Sequence, residues 1–264
     1  MPKKRKTKRK KKGTRRKKFR RVSSYILRIA LGLIAVVYVV FLCKTCVGRW
    51  NSSDSAVTFP KGDVRGIDIS HYQGEIDWEK LRNAKIQDAP ISFIFVKATQ
   101  GTNVWDENFN QNFYNAHKNG IIRGAYHYFS PHTSGKAQAQ FFCKIVQLDK
   151  GDLPPVLDVE ETGNYPIPQL QQEVLQWMKA VEKHFGVIPI LYTSYKFRTM
   201  YLNTSDFDRY PYWIAHYYVD NLQYEGDWKF WQHTDKGKID GINEDVDINV
   251  FNGSYQDLVD LTIK

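Results

Sequence analysis

The sequence has few of the residues that build disulfide frameworks and metal sites. Three cysteines among 264 residues do not make a disulfide framework. Cys43 and Cys46 stand at the end of an apolar run. Cys143 falls alone in a segment with helical periodicity, where it reads as a small apolar residue. The seven histidines are scattered, with no H-E-x-x-H among them and no C-x-x-C joined to them. No metal and no other cofactor is expected. Acidic residues are missing from the first 53 positions, Asp54 being the first. Internal repeats are also missing.

What is there at the N-terminus is basic and then apolar. The formal net charge is +10, yet residues 1–21 alone hold 15 Lys or Arg. Beyond residue 50 the chain carries 20 basic against 28 acidic residues, so the body is formally acidic. A basic run of this density could bind nucleic acid. The segment that follows argues against it. Positions 25–43 read YILRIALGLIAVVYVVFLC, with Arg28 as the one charge near an end. At helical rise these residues span roughly 28 Å, about the thickness of bilayer hydrocarbon. Basic residues before an apolar run hold that side in the cytoplasm and grip anionic lipid heads. The run is long for a cleavable signal peptide, and no small-x-small site follows it. The expected organisation is a basic cytoplasmic tail at 1–21, a transmembrane signal anchor at 22–46, a polar linker at 47–64 and a folded domain at 65–264. Nucleic acid is not an expected partner. Nothing in the chain sets an oligomeric state.

After the linker, apolar strand-like runs alternate with helical ones. Strand candidates are 65–70, 91–99, 122–129, 155–160, 188–194, 210–217, 228–234 and 245–251. Helical candidates are 77–83, 108–119, 134–148, 167–185 and a short turn at 195–201. The clearest is 167–185, where Leu170, Val174, Leu175, Met178, Val181 and Phe185 recur at helical spacing. Alternating strands and helices imply an α/β fold with a parallel sheet and helices outside. Eight strands suggest closure, giving an irregular (β/α) TIM-like barrel with reduced helices in its last third, preceded by one transmembrane helix.

Chemistry concentrates at Pro154-Pro155-Val156-Leu157-Asp158-Val159-Glu160. The prolines enter from a loop, and Val156, Leu157 and Val159 read as a buried strand. Asp158 and Glu160 stand at i and i+2, so both leave one face, with Cα atoms roughly 6.5–7 Å apart. Carboxyls at that spacing repel, and one of them holds its proton to higher pH. Glycoside hydrolysis needs such a pair: an acid for the leaving oxygen and an ionised group for developing positive charge. Other strand ends bring Asp68, Tyr126, Tyr128, Tyr192, Trp213, Gln232, Asp247 and Asn249 to the same rim. Aromatic faces there suit sugar rings. His71, His127 and His216 read as rim or core histidines.

Six motifs then carry a resemblance. GIDISHYQG at 66–74, FVKATQGT at 95–102, GAYHYF at 124–129, LDVE at 157–160, ILYTS at 190–194 and VDINVF at 246–251 resemble, in order, the lysozymes of glycoside hydrolase family 25. The resemblance covers roughly 64–254. It implies an irregular barrel and cleavage of the β-1,4 bond between N-acetylmuramic acid and N-acetylglucosamine in peptidoglycan. It also implies Glu160 as general acid and Asp158 as the partner carboxylate. That partner either orients the substrate's 2-acetamido group or stabilises an oxocarbenium ion directly. Asp68 and Asp247 match two further acids in supporting roles, and Tyr126, Tyr128, Tyr192, Trp213 and Gln232 become expected sugar contacts. The expected setting is a bacterial cell membrane crossed once, with the enzyme domain on the outer side. The rival readings are a related N-acetylglucosaminidase or chitinase and a glycan-binding wall protein without turnover.

Overall fold

A computed structural model describes residues 64–264. The expected membrane span at 22–46 lies outside the described residues. Among those that are described, no helix is long and apolar enough to cross a membrane.

Ten strands form in chain order: β1 (Arg65–Ile69), β2 (Lys85–Ile86), β3 (Ala89–Gln100), β4 (Val104–Trp105), β5 (Ile122–Tyr128), β6 (Val156–Asp158), β7 (Ile190–Ser194), β8 (Tyr212–Ala215), β9 (Phe230–Gly237) and β10 (Val246–Phe251). Eight of them close into a ring that runs β1, β3, β5, β6, β7, β8, β9, β10 and back to β1. Strands β2 and β4 are short hairpin partners of β3.

The expected irregular (β/α) TIM-like barrel is not what the described residues form. The structure is a closed eight-stranded β-barrel with few helices. Among the described residues, only the helices Phe109–Lys118, Gly135–Ile145 and Ile167–Phe185 reach ten residues. Strand β10 is antiparallel to both β9 and β1. The reason is the length of the connections. Eight residues join β9 to β10. A parallel return needs a crossover of about a dozen or more, so the chain turns back on itself instead. The strand expected at 155–160 also shortens. Asp158 ends it, the Val159 amide makes one last bond to the Tyr192 carbonyl at 3.0 Å, and Glu160 lies beyond the sheet.

Strand alternation sorts the apolar residues into two cores. Phe93, Phe95, Val156, Ile190, Trp213, Phe230 and Phe251 fill the barrel. Ile67, Ile94, Val96, Leu157, Leu191 and Ile214 face outward, against Phe109, Phe142, Leu170, Trp177 and Met178 of the three long helices. Each buried large side chain contributes about 1.5–3 kcal/mol. The Ile167–Phe185 helix has the bounds its periodicity predicts, and Gly186 ends it at φ 72°. Cys143 is half-buried against the outer core. His127 is fully buried between Thr99 and Gln138. Burial pushes its pKa down to about 4, so it is a neutral core residue.

The barrel holds its aromatic filling only because two inward positions carry no side chain. A Cβ on Gly66 would lie 2.5 Å from the Phe93 ring, and one on Gly124 would lie 2.6 Å from the Phe95 ring. Overpacking of this kind costs about 1–3 kcal/mol. Gly124→Val should therefore lower the melting temperature, and adding Phe95→Leu should recover part of the loss. Thermal unfolding of the single and double variants measures both. A Gly124→Val protein as stable as the parent would mean that the interior has slack.

Candidate active site

Strand register brings four carboxyls to one rim. Asp68 is the inward residue at the end of β1, and Asp247 is its direct partner on β10. Because β10 runs antiparallel, Asp247 reaches the same rim from the start of its strand. Asp158 ends β6, in register with Tyr128 on one side and Tyr192 on the other. Glu160 follows two residues later. With Lys97 from β3, these groups line a cleft of 310 Å³.

Asp68 is held by a closed set of hydrogen bonds. Its Oδ2 accepts from Gln232 Nε2 at 2.8 Å and from Asn249 Nδ2 at 2.7 Å. Each amide is itself oriented. The Gln232 Oε1 accepts from the hydroxyls of Tyr192 at 2.6 Å and Tyr217 at 2.5 Å. The Asn249 Oδ1 accepts from the Trp213 indole N–H at 2.7 Å. A flip would cost Gln232 three bonds and Asn249 two, so both present their NH₂ groups to Asp68.

Burial raises all four acids. Asp68 is pushed up to about 6, chiefly by desolvation and against the pull of Asn249 and Gln232. Asp247 is pushed up to about 9, first by desolvation and then by the charge of Asp68 and a hydrogen bond to it. Asp158 is raised well above the carboxylate range by desolvation and then by Glu160. Glu160 is raised by desolvation too, although one side of it is open to solvent. A hydrogen bond between the two acts in opposite senses, raising Asp158 and lowering Glu160. Asp158 Oδ1 is buried with no N–H or O–H partner. Lys97 lowers both acids, its Nζ bonding Gln100 at 3.1 Å and lying 4.9 Å from the Tyr128 ring centre.

The residues expected to touch sugar fall into two groups. Tyr126 and Tyr128 are half-buried and face the cleft. Tyr192, Trp213 and Gln232 form its floor, almost wholly buried, with their polar atoms bonded within the protein. The Trp213 ring stacks on Phe95 at 4.4 Å, beneath the acids. Sequence reasoning missed Lys97, Tyr217 and the amide role of Asn249. Lys97 had a signal, since it is the one cation inside the apolar run FIFVKATQ. Tyr217 follows Trp213 and Ala215 at strand spacing, which would have placed it on the inner face. Among the described residues, no group of three His, Cys, Asp or Glu is placed to hold a metal ion.

The raised acids have a consequence for stability. A carboxyl whose pKa is higher folded than unfolded stabilises fully below its unfolded value and loses that contribution as pH rises through the folded one. For Asp247 the window runs from 3.8 to about 9. Asp247→Asn removes a charge that the fold resists. It should raise the melting temperature at about pH 8 and change it little at about pH 4. Scanning calorimetry at the two pH values reads the difference. An equal effect at both would show that the charge at Asp247 is not what costs stability.

Similar proteins fit this geometry. The family model "Glycosyl hydrolases family 25" matches residues 67–242. YegX of Escherichia coli O6:H1 is 39% identical over 262 residues, spanning 93% of this chain and 94% of its own. Lysozyme M1 of Streptomyces globisporus is 34% identical over 219 residues, covering 75% of this chain and 71% of that protein. The structure of a family 25 glycosyl hydrolase from Bacillus anthracis superposes with a TM-score of 0.71 at 31% identity, over 80% of this chain and all of the other. With a family model matched over most of the barrel and four acids gathered at its rim, the chain belongs to glycosyl hydrolase family 25 and is a glycoside hydrolase.

Proposed function

We propose that this protein is a peptidoglycan muramidase, cutting the β-1,4 bond between N-acetylmuramic acid and N-acetylglucosamine. One observation carries the site assignment. Asp158 and Glu160 converge on one cleft with a second carboxyl pair, Asp68 and Asp247, which face each other across the β1–β10 ladder. The lysozyme M1 relative supports the substrate class.

In this reading Glu160 is the general acid and protonates the glycosidic oxygen. Asp158 acts on the sugar that becomes positively charged. A carboxylate beside the acid is well placed for a substrate acetamido group, whose N–H would bond Asp158. That bond favours the ionised form of Asp158 and leaves the proton on Glu160, where the reaction needs it. Asp68 and Asp247 hold negative potential under the reacting ring, and the amides of Gln232 and Asn249 keep Asp68 in place. The finer setting, a chain held at the bacterial membrane with its barrel outside the cytoplasm, is our inference from the basic and apolar N-terminal sequence. Release of the protein from membranes by alkaline carbonate would count against it.

Two measurements test the reaction. Digested peptidoglycan, reduced with borohydride and analysed by mass spectrometry, should carry N-acetylmuramitol at its new ends. N-acetylglucosaminitol would make the protein a glucosaminidase, and wall binding without release would make it a tether. Glu160→Gln should lower turnover by about 10²–10⁴-fold, and Asp158→Asn should also cripple it. Full activity in either variant would move that role to another residue.

A further inference from the structure

Glu160 follows a residue that is tied to the sheet through both of its backbone groups. The Val159 amide donates to the Tyr192 carbonyl at 3.0 Å. The Val159 carbonyl accepts from the hydroxyl of Thr193 at 2.6 Å. One residue earlier, the Asp158 carbonyl accepts from the Phe129 amide at 2.8 Å. Glu160 comes next, beyond the sheet and open to solvent on one side. Thr193 and Val159 are both wholly buried.

We propose that Thr193 is a positioning residue for the reaction, fixing where the Glu160 carboxyl stands by holding the peptide plane between Val159 and Glu160. The inference rests on the reading of Glu160 as general acid. The Val159 carbonyl and the Glu160 amide belong to one rigid plane. Tying the oxygen of that plane fixes its rotation, and with it the direction in which the Glu160 side chain leaves. The acid must come within hydrogen-bond reach of the bridging oxygen. A misplacement of about 1 Å can cost about a hundredfold in rate.

The local sequence explains why a side chain makes this bond. Strand β6 ends at Asp158, in register with Tyr192, while β7 runs on to Ser194. Ser194 is committed elsewhere, since its hydroxyl caps the helix Tyr195–Tyr201 by accepting from the Phe197 amide at 3.1 Å. Alternation turns Thr193 outward with Leu191, away from the inward Tyr192, and Val159 packs in the same outer core. Valine has the same branched shape and suits a strand as well, so packing alone does not call for the hydroxyl. The buried carbonyl does, because without that donor it would be left unpaired.

Thr193→Val in the full-length protein removes the bond at nearly constant shape. On purified glycan strands it should lower kcat by about ten- to a hundredfold, with KM within about twofold of the parent. Thr193→Ser keeps the hydroxyl and should recover most of that loss. A disaccharide dinitrophenyl glycoside releases a stable anion that needs no proton, so its kcat/KM should stay within about twofold in the valine variant. In a Glu160→Gln background, Thr193→Val should cost less than about twofold more on glycan, because its effect passes through the missing acid. Equal losses on both substrates, no loss on glycan, no rescue by serine, or a full further loss in the Glu160→Gln background would overturn the role. Thr193→Ala carries the same tests should the valine protein not fold. Glu160→Gln alone tests the underlying reading separately: undiminished glycan cleavage there would sink the acid itself, whatever Thr193 does.

Discussion

Closing the barrel through the antiparallel pairing of β1 with β10 puts Asp68 opposite Asp247. Much of the site follows from that pairing. Two carboxyls facing each other across one ladder, both out of water, cannot both ionise at ordinary pH. The fold responds by anchoring one of them. Asp68 is tied to Gln232 on β9 and to Asn249 on β10, and the proton is left to Asp247. The order of the strands thus decides which acid is fixed in charge and which varies.

What lies underneath makes those charges matter. Phe95, Trp213, Phe230 and Phe93 pack edge and face against one another, with ring centres 4.4 to 6.5 Å apart, directly below the acids. This aromatic plug excludes water and so weakens screening. It also supplies a donor, since the Trp213 indole orients the amide that orients Asp68. Packing and electrostatics are therefore one structure. A change in the plug that let water in would lower the carboxyl pKa values and weaken the field acting on a sugar. The cost is carried by stability, because a dry acid cluster opposes folding while the plug favours it.

Much of this was legible in the sequence. The order of strands, the long helix ended by Gly186 and the gathering of Asp68, Asp158, Glu160 and Asp247 at one rim all follow from short motifs and period-two alternation. The antiparallel closure did not, because the direction of β10 depends on the length of the preceding turn, 238–245, which no local pattern marks as too short for a crossover. Nor could exposure be assigned. Tyr128 and Trp213 both read as rim aromatics, yet Tyr128 faces the cleft and Trp213 lies beneath it. Their depth depends on neighbours in space, such as Phe95 stacking on the indole, which no local pattern encodes. The terminal helix Tyr255–Leu261 was missed although Ser254 and Asp257 form a capping box.

The position of Glu160 shows why the strand carrying it had to be short. Pro154 and Pro155 carry no backbone N–H and delay the start of β6 to Val156, and the ladder is already spent at Asp158. Had the strand run on through Glu160, both carboxyls would point into the barrel mouth at fixed separation, each as desolvated as the other. Ending it leaves Asp158 locked in the sheet, buried between Tyr128 and Tyr192, and sets Glu160 on a ridge with water on one side. The two acids then differ in environment, and that difference splits their roles. The buried one is raised furthest by desolvation. The exposed one lies at the cleft edge, where a glycosidic oxygen can reach it. A three-residue strand thus makes an asymmetric acid pair from two residues spaced symmetrically in sequence.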